Sequence, residues 1–249
     1  MKYSFNLLER PWIPCLLPGG QVHELSLCEA LNQANMMRGI AGDSPLETAA
    51  IYRLLLAVLH SALRGPENAA AWNQLWQAGT WNQPWLHAYL EKWQHRFDLF
   101  HEERPFYQAK DERVKQKSIS SLAMDMASGN NATLFDHHTE DTSVVVQAGK
   151  AARILLVAQL FGLAGLSGLE QKFTDGPWGR GIIFLVEGDT LFQTLALNCL
   201  RYTERYPVDV QCIGHDLPAW EADDPYQPRE IPLGYLDYLT WHNRRVYLV

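Results

Sequence analysis

The chain has 249 residues, of which 47% are hydrophobic and 20% are charged, and its formal net charge at pH 7 is −7. This composition is ordinary for a globular protein with its own core, and the negative charge argues against binding nucleic acid through a broad basic face. The four cysteines, Cys15, Cys28, Cys199 and Cys212, are too widely spaced for a zinc or redox motif. Because the N-terminus has no signal-peptide core and the apolar run near Ile154–Leu169 is too short for a bilayer, we expect a cytoplasmic protein without a membrane partner.

The first elements are predicted to be a small hairpin and a short helix. A Pro-Gly-Gly cluster at Pro18–Gly20 separates an apolar entry, Phe5–Leu17, from a return strand, Val22–Leu25. Ser26 is followed three residues later by Glu29, which is a capping-box pattern and predicts a helix start.

A stronger start signal precedes the longest uninterrupted apolar helix. Ser44 is suited to the N-cap, Pro45 to the first helical position, and Glu47 lies three residues after Ser44. The run Ala49–Leu63 is apolar at helical spacing, and Gly65 supplies the stop.

Two further helices, Ala69–Ala78 and Gln83–Phe97, are rich in aromatic residues at three- and four-residue steps. The residues at these steps are Trp72, Leu75, Trp76, Trp85, Tyr89 and Trp93. A core stripe and a platform for stacking nucleic-acid bases both use this pattern, and the core stripe is the favoured interpretation.

The second half of the chain alternates apolar elements with glycine and proline. We predict a helix over Ala148–Leu169, a strand over Ile182–Val186, a helix over Leu191–Leu200 and a final strand over Trp241–Val249. Residues 203–233 lack periodicity and are predicted to form an extended, wrapping segment. The glycines around Gly176 match neither the P-loop nor the dinucleotide-binding pattern, so a nucleotide site is rejected.

Positive charges cluster locally in one polar stretch. Lys110, Arg113, Lys115 and Lys117 alternate there with acidic residues. A solvated connection is the commoner explanation of such a run, and a patch that contacts phosphate groups is the functional alternative.

The most unusual stretch is Asn130–Asp141, whose pattern indicates neither a helix nor a strand. Leu134 and Phe135 are apolar residues in what is otherwise loop sequence, so either the core or a partner must cover them. Asp136, His137 and His138 raise the alternative of a metal-dependent hydrolase. Adjacent histidines point in different directions in an extended segment, so a metal site is disfavoured and no cofactor is expected.

Catalytic motifs are weak elsewhere. Ser167 is one residue short of the Gly-x-Ser-x-Gly elbow. The cysteines have no histidine in a recognisable catalytic pattern. The sequence therefore favours a binding protein over an enzyme.

Five segments, in chain order, resemble the CasA family, the large subunit of the type I-E CRISPR Cascade surveillance complex. Phe5–Pro14 resembles the family's opening NLL…WIP strand, His101–Gln108 its H-P-F-x-Q segment, and Asn131–His137 lies where the family has its first DNA-contacting loop. Leu191–Leu200 resembles the family's helix ending in LN-x-L. Leu217–Trp220 matches its proline- and tryptophan-rich stretch.

The resemblance implies an α+β fold, with helices and short sheets in one large domain over residues 1–249. It implies a non-catalytic subunit that recognises the protospacer-adjacent motif in target double-stranded DNA, helps to open the duplex and recruits a helicase–nuclease. The expected partners are the other Cascade subunits, the 5′ handle of the guide RNA, the target duplex and that helicase–nuclease. A protein–protein scaffold that does not read DNA is the alternative.

The resemblance also assigns candidate contact residues. The DNA-contacting loop maps onto Asn131, Thr133, Leu134, Phe135, Asp136 and His137. Gly165 and Gly168 are candidates for a glycine loop that helps to read the motif, although Glu170-Gln171-Lys172 interrupts the glycine run that the family has there. The family's C-terminal four-helix bundle has no counterpart in this sequence.

Overall fold

The computed structural model describes residues 3–112, 116–126, 144–163, 175–200, 216–226, 232–242 and 244–249. Within these ranges the chain forms seven α-helices and one three-stranded sheet, which confirms the predicted α+β class. One hydrophobic core contains residues from Phe5 to Val246, so both ends of the chain contribute to the same packed interior.

The sheet is built from β1 (Ile13–Leu16), β2 (Val22–Leu25) and β3 (Gly39–Ile40), in the order β2-β1-β3. Both pairings are antiparallel, with Ile13 opposite Leu25 in the hairpin. The hairpin prediction is confirmed. The sequence did not indicate β3, because two residues are too few for an alternating pattern.

Helix α1 (Leu27–Asn32) begins with the predicted capping box, in which the Ser26 and Glu29 side chains each accept the other residue's backbone N–H. Helix α2 (Pro45–Leu63) begins at the predicted cap, Ser44, and ends with Arg64 in the left-handed conformation at φ 57°. Helix α2 is long and apolar enough to cross a membrane, but its apolar window is 72% buried within the protein. It is therefore the core helix, and α4, α5, α6 and α7 all pack on it.

Helices α3 (Ala69–Ala78) and α4 (Pro84–Trp93) lie close to their predicted bounds, and α4 runs into a single 3-10 turn over Gln94–Arg96. The stripe residues are partly buried, and five of the six pack against the core, as the favoured interpretation expects: Leu75, Trp76, Trp85, Tyr89 and Trp93. Trp72 stacks on Trp76 with 5.3 Å between ring centroids, and its indole N–H donates to the Ala196 carbonyl at 2.9 Å.

The remaining helices are α5 (Ala148–Phe161), α6 (Leu191–Leu197) and α7 (Tyr235–Leu239). The prediction that the α5 helix continues to Leu169 is wrong at its end, since Gly162 already has an extended backbone at ψ 125°. Helix α6 stops three residues before the predicted Leu200, where the Asn198 amide donates to the Thr194 carbonyl at 2.7 Å.

Two predicted strands do not join the sheet. Ile182–Val186 and the described residues of Trp241–Val249 belong to no strand ladder in the described part of the chain. The C-terminal residues are held instead by single contacts, such as the Ala109 N–H donating to the Val246 carbonyl at 2.9 Å. Apolar alternation predicts an extended backbone, but a pairing partner is a tertiary property.

A buried ion pair joins α2 to α5. Arg153 Nε lies 2.9 Å from Glu47 Oε1, and both side chains are less than a tenth exposed. Arg153 Nη1 also donates to the Trp12 carbonyl and to Glu24 Oε1, each at 2.7 Å, so one guanidinium connects α5 to α2 and the hairpin. Lys150 adds a second link through Asp43 at 2.5 Å, and this hydrogen bond lowers the pKa of the Asp43 carboxyl.

We expect Arg153→Met to lower the free energy of unfolding by about 3 kcal/mol, the low end for breaking a buried ion pair, because the Glu47 carboxylate then keeps only the Lys150 ammonium, at 3.5 Å. The double variant Glu47→Gln, Arg153→Met removes the charge and should recover more than half of that loss. Urea denaturation measures both, with exposed Arg38→Met as the control that changes nothing beyond about 0.5 kcal/mol. Equal losses in the single and double variants would contradict the ion-pair account.

Candidate nucleic-acid interface

Most of the predicted contact residues lie outside the described part of the chain. This applies to Asn131, Thr133, Leu134, Phe135, Asp136, His137, Arg113, Lys115, Gly165 and Gly168, and to Ser167 and His138 of the alternative hypotheses. Their roles stay predictions. Lys110 and Lys117 are described, and both side chains are exposed. The elements that flank the predicted loops are described as well.

Helix α5 connects the two predicted loop segments. Residues 127–143 precede it and residues 164–174 follow it closely. A helix of 14 residues is about 21 Å long, at a rise of about 1.5 Å per residue. In sequence, the two predicted loop segments therefore lie on either side of one rigid helix.

The beginning of α5 is packed directly on the hairpin. Gly149 lies so close to Trp12 that an added Cβ would be 3.1 Å from the Trp12 Cβ. The Arg153 and Lys150 ion pairs described above start within the first turns of the same helix. The exit of segment 127–143 is consequently held by both apolar packing and charge.

After segment 164–174 the chain comes back into contact with the end of α5. The Gly176 N–H donates to the Gly162 carbonyl at 2.6 Å, and the Trp178 N–H donates to the Leu160 carbonyl at 3.1 Å. A Cβ on Gly176 would be 2.3 Å from the Leu160 carbonyl oxygen, so this approach requires glycine. Arg244 donates a further hydrogen bond to the Leu163 carbonyl. Segment 164–174 thus leaves and re-enters the described structure at the same place.

Trp178 anchors this return against a buried cation. The guanidinium of Arg53, which is 4% exposed, lies 5.3 Å from the Trp178 ring centroid and 5.5 Å from that of Tyr238. The Trp178 indole N–H donates to the Tyr238 hydroxyl at 2.9 Å, and the Phe161 ring meets Trp178 edge-on.

No carboxylate of the described residues pairs with Arg53, and burial lowers its pKa to about 10. It remains cationic at neutral pH, with π faces and the Tyr238 carbonyl as its ligands. A desolvated cation–π contact of this kind is worth about 2 kcal/mol. The only sign of this cation–π contact in the sequence is Arg53 itself, an arginine within the apolar run Ala49–Leu63.

Lys110 borders a cleft of about 320 Å³ that contains two more cations, Arg96 and Arg104. Burial, and then the positive charge of Arg104, lower the pKa of Arg96. Three carboxylates, those of Glu103, Asp223 and Asp224, line the same cleft, so its charge is mixed. Lys117 does not line it, and the cleft therefore does not gather the predicted basic patch into one site.

Among the described residues, metal-ligating side chains do not cluster and the cysteine thiols are not activated. No group of three or more metal-ligating side chains occurs among them. Burial raises the pKa of the Cys15 and Cys199 thiols to about 12, and that of Cys28 to about 11, so these thiols stay protonated at neutral pH. A thiol in that state is a poor nucleophile.

We expect Trp178→Ala to cost about 3 kcal/mol, the low end for tryptophan truncation in a core, because the side chain is only half-buried. Trp178→Phe keeps the ring contacts and loses one hydrogen bond, which should cost about 1 kcal/mol. A double-mutant cycle with Tyr238→Phe, measured by chemical denaturation, isolates that bond. Additive losses in the cycle would contradict the contact between the two side chains.

The comparisons with known proteins agree in one family. A family model described as CRISPR-associated protein Cse1 matches residues 6–249. A curated relative, CRISPR-associated protein CasA/Cse1 of Thermus thermophilus, is 42% identical over 226 residues, which cover 88% of this chain and 42% of the relative.

Solved structures of this family have the same fold. Thermus thermophilus CasA (Cse1) superposes with a TM-score of 0.77 at 35% identity, covering 98% of this chain and 49% of that one. Cse1 from Acidimicrobium ferrooxidans gives 0.80 at 29% identity, with coverage of 98% and 48%. A chain of a CRISPR RNA-guided surveillance complex, pre-nicking, gives 0.79 at 25% identity, with coverage of 97% and 51%.

This chain spans about half the length of the relatives it matches. The match nevertheless begins at residue 6 and continues to the last residue, so it includes every described element. The chain belongs to the CRISPR-associated protein Cse1 family, whose members are also called CasA.

Proposed function

We propose that this chain is a non-catalytic, DNA-reading subunit of a CRISPR surveillance complex in the cytoplasm. It recognises the protospacer-adjacent motif in target double-stranded DNA, aids opening of the duplex and contributes to recruiting the helicase–nuclease. The observation that carries this proposal is the Cse1 match over residues 6–249, and the rigid helix α5, which separates the two predicted loop segments in sequence, supports it. A loop that probes DNA at a fixed position needs rigid elements on both sides of it.

The chemistry of the first predicted loop suits a DNA groove. Leu134 and Phe135 are of the types that enter between base steps and unstack them, a mode of binding used in the minor groove. Asp136 would accept a hydrogen bond from an amino group on a base edge. Its negative charge repels phosphate, so the loop would approach a groove and not the backbone.

The net charge of −7 is compatible with this role. In RNA-guided complexes base pairing with the guide reads the sequence, and the protein reads only a short motif. The other Cascade subunits and the 5′ handle of the guide RNA would carry most of the remaining contacts. For this chain local cations suffice, and the exposed Lys110 and Lys117 are available for them.

We expect Leu134→Ala with Phe135→Ala to weaken target-duplex binding by the assembled complex at least about tenfold, because unstacking a base step costs a few kcal/mol and the variant removes the apolar side chains that would offset this cost. The matched control replaces two exposed apolar residues elsewhere, Val22→Ala with Met36→Ala, which are 48% and 55% exposed. Gel-shift titration measures both. Unchanged affinity in a folded loop variant would refute the DNA-probing role.

Replacing Lys110 and Lys117 by alanine should make binding less dependent on salt. Each lysine that contacts phosphate contributes about 0.9 to the slope of log K against log salt concentration. The double variant should therefore lower the slope by nearly 2, and exposed Lys92→Ala should leave it unchanged. A slope equal to that of the unaltered complex would show that these lysines do not contact phosphate.

A further inference from the structure

The segment Ile182–Val186 exposes a row of large apolar side chains. Ile182, Phe184 and Val186 are 84%, 86% and 54% exposed, while Leu185 packs against the core. Ile183 is only 38% exposed, so exposure alternates along the segment, which is the pattern of an extended chain whose side chains two residues apart share a face. The three exposed residues therefore form one apolar strip, and large contiguous apolar surface usually marks an interface.

The backbone of this segment, like its exposed side chains, makes few contacts with the rest of the protein. Among the described residues, no group hydrogen-bonds the backbone of residues 182–185. At Val186 the N–H and carbonyl bond only to the Asn198 side chain, at 3.0 and 2.7 Å. An extended chain with free N–H and carbonyl groups is a template for adding another strand.

An apolar groove of about 540 Å³ runs beside the strip. Pro45, Leu46, Ala49 and Tyr52 of α2 form one wall, Ile183 and Leu185 form the other, and Phe161 of α5 also lines it. A strand paired with residues 182–186 would direct alternate side chains towards this groove.

Two carboxylates that follow the strip indicate the charge of a strand that would pair with it. Glu187 and Asp189 follow it, both are exposed, and neither forms an ion pair within the described structure. A complementary strand would carry apolar side chains at alternate positions and a lysine or arginine opposite Glu187.

The length of the relatives indicates where such a strand comes from. The matched region covers 98% of this chain but only 49% of Thermus thermophilus CasA. We propose that the strip is the docking edge for a strand from the part of the relatives that lies outside the matched region. That strand pairs with residues 182–186 and fills the groove against α2. This strand pairing does not depend on any contact with DNA.

The test compares the 249-residue chain with a fusion in which it replaces the matched part of the Thermus relative. In the fusion, the amides of Ile183, Phe184 and Leu185 should exchange hydrogen about a hundredfold more slowly than in the chain alone, because they gain strand hydrogen bonds. Equal exchange in both proteins would overturn the proposal. Slow exchange in the chain alone, together with a dimer by light scattering, would assign the edge to a second copy and also overturn it.

A matched pair of variants tests the side chains. Phe184→Asp should lower the unfolding temperature of the fusion by several degrees and leave that of the chain alone unchanged. Val145→Asp replaces another highly exposed residue, 89% exposed, and should change neither protein. An unchanged fusion would show that nothing covers this residue, and a chain destabilised by Phe184→Asp on its own would show that the chain itself packs against it; either result would overturn the proposal.

Discussion

The arrangement depends on the buried contact between α2 and α5, in which Arg153 pairs with Glu47 at 2.9 Å. Helix α2 is the hub of the fold, since four other helices pack on it. A buried ion pair adds little net stability compared with apolar packing. The directional contacts are the hydrogen bonds from Arg153 Nη1 to the Trp12 carbonyl and to Glu24, and these position the beginning of α5 relative to the hairpin.

The same helix also fixes the far side of α5. Arg53, less than two turns after Glu47 on α2, is buried beneath Trp178, the first large side chain after segment 164–174. Two buried charges on one core helix thus hold the elements that flank the two predicted loops. These contacts explain why an apolar core helix contains charged residues. The charged residues position the elements that flank the proposed DNA-reading loops.

Local signals predicted a large part of this fold, because they act through neighbouring residues. The Ser26 and Ser44 caps, the Pro18–Gly20 turn and the bounds of α3 all follow from chemistry within a few positions. The failures concern tertiary partners. Side-chain exposure alternates along Ile182–Val186 as its apolar pattern indicates, yet nothing described pairs with this segment. Helix α7 is only five residues long, and its first turn depends on Asp216, whose carboxylate accepts the Leu236 and Asp237 N–H groups.

The sequence suggested the kind of interface, but it did not suggest which residues hold the flanking elements in place. Motif resemblance suggested the loop residues, whose roles stay predictions, whereas the contact between Arg53 and Trp178 became visible only in the folded structure. The measurement that tests the account most directly is the affinity of the assembled complex for duplexes with and without the protospacer-adjacent motif, determined with and without this chain. A DNA-reading subunit predicts at least about tenfold preference for the motif, the worth of one mismatched base pair, and its loss when the chain is omitted. An equal preference with and without the chain would identify it as a scaffold and contradict the account.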